Sequence, residues 1–127
     1  MGKNQLRPVF LNLMVIRLPI GGFISFLHRL SGVALVLLIP ALIYAFALSL
    51  ESPEQFAKVQ SWFGSTLGSL TLFLALAALA QHLFSGLRHL AMDIDWGVNL
   101  HTSRVTAWST LAATVTVLGL LVLRWWF

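Results

Sequence analysis

Two short polar clusters interrupt the long apolar stretches of this chain, and both contain histidine. The first is Ser25-Phe26-Leu27-His28-Arg29-Leu30-Ser31-Gly32. The second is Gln81-His82-Leu83-Phe84-Ser85-Gly86-Leu87-Arg88-His89. On a helix, Ser25, His28, Arg29 and Gly32 fall at i, i+3, i+4 and i+7 and share one face, as do His82, Ser85, Gly86 and His89. The first stripe offers hydrogen-bond donors and a fixed positive charge, which suit an anionic or carbonyl-bearing ligand. In the second, a neutral imidazole is a natural axial ligand for haem iron. Gly86, one turn along, would let a flat macrocycle lie close to the backbone. Both clusters also have plain structural readings. Arg29 can anchor a helix end at an interface, Ser25 and Ser31 can pack helices, and His82 can bond a neighbouring helix. Ionisable groups in an apolar span are costly, so each needs a partner or a purpose.

The elements that carry these residues follow from the distribution of charge. Of 127 residues, 58% are hydrophobic and 9% charged, and mean hydropathy is +0.87. A soluble chain carries about 25% charged residues, and one this short cannot bury so much apolar surface. Leu30 to Leu50 is 21 residues without a charge, Val59 to Leu87 is 29, and Val105 to Leu123 is 19. Each run meets the length of about 18–20 residues that a membrane helix needs. Backbone groups in lipid must be satisfied within the span, so helices are expected. The reading is an all-α membrane protein, one membrane domain over 1–127, with transmembrane helices near 24–50, 61–88 and 105–126. Residues 1–23, punctuated by Pro8, Pro19, Gly21 and Gly22, read as a cytoplasmic lead-in. No internal repeat is apparent. The first apolar segment begins late and lacks an Ala-x-Ala-like site, so it is expected not to be a cleaved signal. The N-terminus lacks a transit-peptide pattern, which favours a bacterial inner membrane. With Cys 0, thiolate metal sites and iron–sulfur ligation within this chain are excluded. The net charge of +4 contains no basic run, so a lipid bilayer rather than nucleic acid is the expected partner.

Lys and Arg set the orientation. Lys3, Arg7, Arg17, Arg29, Arg88 and Arg104 give six on one side, against Lys58 and Arg124 on the other. The N-terminus is therefore expected in the cytoplasm and the C-terminus in the periplasm, with Trp62, Trp125 and Trp126 at the outer interface. His82 precedes Arg88 by six residues, about 9 Å deeper at 1.5 Å per residue. A haem with propionates toward the cytoplasm suits that order, with Arg29 and His28 pairing to them by charge-assisted hydrogen bonds. A six-coordinate haem needs a second axial ligand. The third span has no histidine and His28 reads as close to the interface, so another subunit is expected to supply it. His101 reads as a solvated loop residue, Asp93 and Asp95 as loop caps, and Gly64, Thr66, Gly68 and Thr71 as small-residue helix packing.

The pattern of Arg7-Pro8, Ser25-x-x-His28-Arg29-x-Ser31-Gly32 and His82-x-x-x-Gly86-x-Arg88-His89-x-x-Met92-Asp93 resembles the cytochrome b membrane-anchor subunit, the C subunit, of bacterial succinate dehydrogenase, respiratory Complex II. The similarity spans nearly the whole chain, and the pairing of the two motifs is specific. The resemblance implies a helix bundle shared with a second small anchor subunit, holding haem b and a quinone site, and docked to an iron–sulfur subunit and a flavoprotein subunit. It implies His82 as the haem iron ligand and His28 and Arg29 near the propionates. It also implies Ser25 and Arg29 at the site where quinone, ubiquinone by expectation, is reduced. An Arg in a low-dielectric site stabilises negative charge on a reduced quinone. The dicarboxylate chemistry would lie on the partners, since this chain carries no flavin motif. A fumarate reductase anchor uses the same cofactors in the other direction. A small oligomeric transporter would instead lack haem and place an acid within a span. A purely structural anchor would leave His82 without a role.

Overall fold

The computed structural model describes residues 18–126. Lys3, Arg7, Pro8 and most of the lead-in expected over 1–23 lie outside these residues. Among the described residues the chain forms four helices and no strand: α1 (Ile20–Glu51), α2 (Pro53–Gly64), α3 (Thr66–Asp93) and α4 (Leu100–Trp126). Helices α1, α3 and α4 are long and apolar enough to cross a membrane. This is an all-α membrane protein with three spans.

Helix boundaries follow from local chemistry. Pro19, extended at φ −61° and ψ 152°, starts α1, as the steric restriction on a residue before proline predicts for Leu18. The helix therefore begins two turns before His28. Pro40 lies inside α1 and removes one backbone donor, a loss that membrane helices tolerate. Ser52 caps α2 by accepting from the Gln55 N–H at 3.2 Å, with Pro53 at the first helical position.

The segment expected as one helix over 61–88 is divided at Ser65. There Ser65 Oγ accepts from the Gly68 N–H at 3.1 Å and donates to the Trp62 carbonyl at 2.6 Å. The second span thus starts at Thr66 and runs on to Asp93. Gly64 and Thr66 flank this corner, and Gly68 packs against the Trp62 carbonyl, so the stretch serves an α2–α3 corner more than contact between spans.

Helix α3 closes with Asp95 at φ 60°. The Asp95 N–H bonds the Met92 carbonyl at 3.1 Å and the Trp96 N–H bonds the Ala91 carbonyl at 3.0 Å, the paired bonds of a Schellman closure. Asp95 thus caps through its backbone. The side-chain cap of α4 is Asn99, whose Oδ1 accepts from the Thr102 N–H at 2.9 Å. His101 is exposed, as expected, but stands in the first turn of α4 rather than in a loop.

Residue pairs across the helices fix an antiparallel register. Gly32 faces His82 and Gly86 faces His28, while Arg88 meets Ser103 and Gln81 meets Thr114. The spans therefore run α1, α3 and α4 in alternating directions. Their packing reverses that of a soluble protein. The described buried apolar residues are Ile24, Ala80 and Ala107, whereas Ser31, Gln81, Ser85, Arg88, Thr110 and Thr114 are buried. Large apolar side chains such as Leu37, Ile43, Phe46 and Leu90 point outward. Small and hydroxylated residues let helices approach closely in lipid, and apolar ones face the surroundings.

Candidate functional site

Three imidazoles meet where α1 packs on α3. The His28 and His82 rings stack with centroids 4.1 Å apart and planes 17° from parallel. His28 also lies 5.2 Å from His89, tilted by 52°. The difference in depth expected between His28 and His82 does not hold, because their rings are in contact. The early start of α1 brings His28 level with His82, and His89, expected on the same face of its helix as His82, joins the group.

Each ring is held by the facing helix. His82 Nδ1 lies 3.1 Å from the His28 carbonyl and 3.4 Å from Ser31 Oγ. A carbonyl only accepts, so His82 Nδ1 carries the proton. Nε2 is then the lone-pair nitrogen, and it has no hydrogen bond among the described residues. Metal-bound histidines commonly donate their other N–H to a backbone carbonyl in this way. His28 Nδ1 lies 3.0 Å from Ser85 Oγ. Gly32 and Gly86 leave room for the rings: a Cβ on Gly32 would lie 3.0 Å from His82 Cε1, and one on Gly86 3.3 Å from His28 Cε1.

Ser25 and Arg29 lie one turn apart on α1. Arg29 is exposed, and its Nε–H reaches the Ser25 carbonyl at 3.3 Å. Ser25 is half-buried, and its hydroxyl makes no hydrogen bond among the described residues. Guanidinium and hydroxyl therefore stand at the same end of the bundle as the imidazoles.

Arg88, which in sequence reads only as an interfacial charge, is buried. Its Nη2 donates to Ser103 Oγ at 2.9 Å and the Ser103 carbonyl at 3.2 Å, and its Nε to Thr106 Oγ1 at 3.2 Å. Gly21 of α1 closes over it, where a Cβ would lie 3.5 Å from Nη2. Arg88 thus joins all three spans, without a carboxylate partner among the described residues. The sequence gives little signal for this, because Ser103 and Thr106 come after a turn.

A planar fork satisfies this pocket and a flexible ammonium does not. Removing the charge leaves two neutral hydroxyls and the Ser103 carbonyl, which still accepts from Thr106 Oγ1 at 3.2 Å. Arg88→Lys is therefore expected to lower stability by about 2–3 kcal/mol and Arg88→Met by about 1 kcal/mol, since a mispaired buried charge costs more than its removal. Thermal unfolding of the solubilised protein checks the order of the two.

The sequence matches the family model described as succinate dehydrogenase/fumarate reductase transmembrane subunit over residues 3–121. The chain belongs to this family. Among curated relatives, the succinate dehydrogenase cytochrome b556 subunit of Paracoccus denitrificans is 33% identical over 117 residues, covering 92% of this chain and 89% of the relative. The proteins of the same name from Coxiella burnetii and Rickettsia bellii are 31% and 30% identical, over 87% and 86% of this chain and 90% and 85% of theirs. Membership in the transmembrane subunit family agrees with three spans and gives the chain a membrane-anchor role in an oxidoreductase complex. It sets aside the transporter reading.

Proposed function

We propose that this chain is the haem-bearing anchor of a succinate:quinone oxidoreductase. With a second small anchor subunit it holds haem b and forms part of the site where quinone, by expectation ubiquinone, receives electrons. The iron–sulfur and flavoprotein subunits dock on it and carry the succinate chemistry. The observation that carries the reading is His82, held at Nδ1 by the His28 carbonyl with Nε2 left as a lone pair.

The donor set fits a haem. Among the described residues no three His, Asp or Glu side chains form a metal cage. A porphyrin brings four nitrogens of its own, so one imidazole from this chain suffices. His28 and His82 lie nearly face to face, so of the two His82 alone would hold the iron, and a further ligand would come from the other anchor subunit. Bound haem supplies one-electron transfer. His82 would hold the iron, Arg29 would pair with the propionates, and His28 would stand beside them. At the quinone, the Ser25 hydroxyl and Arg29 guanidinium donate to its oxygens and favour the reduced form electrostatically.

The membrane is the bacterial inner membrane, with the N-terminus cytoplasmic. The end of the bundle that holds Arg29, Arg88 and Arg104 then faces the cytoplasm, in keeping with the excess of positive charge on that side. The relatives named above are succinate dehydrogenase subunits, which favours succinate oxidation over fumarate reduction as the direction.

The test is a dithionite-reduced minus oxidised spectrum of the detergent-purified complex, paired with assays of Arg29→Leu. A b-type signal is expected. Arg29→Leu is expected to impair quinone reduction at least tenfold while electron transfer from succinate to a soluble acceptor persists. A complex that retains its dehydrogenase subunits but has no haem would overturn the cytochrome assignment, and equal losses in both assays would overturn the quinone assignment.

A further inference from the structure

The two histidine clusters contain the same five-residue pattern, His-x-x-Ser-Gly, at 28–32 and at 82–86. Because α1 and α3 run antiparallel, the two copies face each other about a local two-fold axis. The histidine of each copy meets the serine of the other: His28 Nδ1 lies 3.0 Å from Ser85 Oγ, and His82 Nδ1 lies 3.4 Å from Ser31 Oγ. Each ring also lies against the glycine of the other copy.

Proton counting decides what these contacts do. A serine hydroxyl has one proton to donate. Ser31 donates to the His28 carbonyl at 2.9 Å, and Ser85 donates to the Gln81 carbonyl. Toward the facing imidazole each hydroxyl can therefore only accept. His82 has a second acceptor in the His28 carbonyl at 3.1 Å. His28 Nδ1 has Ser85 alone among the described residues, and Ser85 is fully buried.

We propose that Ser85 is a positioning residue that locks His28 into the Nδ1–H tautomer, as the His28 carbonyl, backed by Ser31, does for His82. Both rings then keep Nε2 as the lone-pair nitrogen. A neutral imidazole in water favours the proton on Nε2, so the clamp reverses the intrinsic preference. Ser85 is decisive for His28. Ser31 shares the task at His82 with a backbone carbonyl. The consequence for an iron ligand at His82 rests on the function proposed above, whereas the tautomers themselves do not.

The test is the ring-15N spectrum of the intact complex, labelled at histidine and reconstituted in liposomes, with His28 and His82 assigned by difference from His28→Asn and His82→Leu. Both residues are expected as single Nδ1–H species in the wild-type protein. Ser85→Ala is expected to split His28 into both tautomers, Ser85→Thr to restore one, and Ser31→Ala to leave His82 unchanged. A proton on Nε2 of either neutral ring in the wild-type protein overturns the proposal, even if the serine variants fail to assemble. An undivided His28 signal in Ser85→Ala overturns the role of Ser85. The reduced-minus-oxidised spectrum of the same samples reports separately whether haem is present, so a failure of the cytochrome reading is distinguishable.

Discussion

His82→Leu is expected to remove essentially all b-type haem from the purified complex, while His28→Leu retains most of it. The two rings are stacked 4.1 Å apart, so proximity alone predicts no difference between them. The difference comes from the group that holds His82. Its Nδ1–H is held by the His28 carbonyl, a main-chain group that survives any substitution at position 28. Losing the imidazole of His82 removes the ligand. Losing that of His28 removes a packing neighbour and a candidate partner for the propionates, and leaves the ligand with its acceptor. Loss of a supporting group around a metal ligand typically costs about 10–100-fold in affinity, which a tightly held cofactor survives during purification. Haem absorbance normalised to the flavoprotein subunit, measured in both variants, checks this. Equal loss in the two would reject His82 as the distinct ligand, and normal haem in His82→Leu would reject it outright.

The spans were legible because charge is excluded from them. Three uncharged runs sufficed to give three helices, and those runs lie largely within α1, α3 and α4. Their ends were less legible. The break at Ser65 depends on one hydroxyl serving Gly68 and Trp62 together, and the surrounding residues are as apolar as those of a continuous helix. The closure of α3 by Asp95 likewise depends on a left-handed backbone at a residue type for which that conformation is uncommon.

The polar clusters were legible as two separate stripes, each on one face of its helix. Their apposition was not, because it depends on the register between helices. A depth counted along the helix from Arg88 for His82, and an interfacial position for His28, separate two rings that the register brings into contact. The recurrence of His-x-x-Ser-Gly, too short to register as an internal repeat, was the available signal. Two identical patterns on antiparallel neighbours can meet about a two-fold axis, and each can then supply what the other lacks. Arg88 offered no such signal, since a charge near the end of a span reads as an anchor until the helix beyond the turn is in place.

Gly68→Ala is expected to disrupt the α2–α3 corner and to lower the stability of the protein more than any other glycine-to-alanine change in the described residues. The cause is space, because Gly68 does not adopt a positive φ. An added Cβ would run into the carbonyl of Trp62 and crowd the backbone of Phe63. That backbone cannot yield cheaply. The Trp62 carbonyl accepts from the Ser65 N–H at 3.0 Å and from Ser65 Oγ, and the Phe63 carbonyl accepts from Ser69 Oγ at 3.1 Å. Relieving the clash means breaking this set of bonds or moving α2 off α3. Overpacking in a core costs about 1–3 kcal/mol when side chains can adjust, and here the obstacle is main chain, so the cost is expected at or above the top of that range. Gly64→Ala and Gly119→Ala meet nothing within 4 Å and serve as controls, expected to lie within about 1 kcal/mol of wild type. Thermal unfolding, with limited proteolysis to detect cleavage near 62–66, separates the cases. If Gly68→Ala matches Gly64→Ala in both, the close approach at this corner is wrong. If it unfolds early and is cut there, the short helix α2 is held to the second span by the absence of one methyl group.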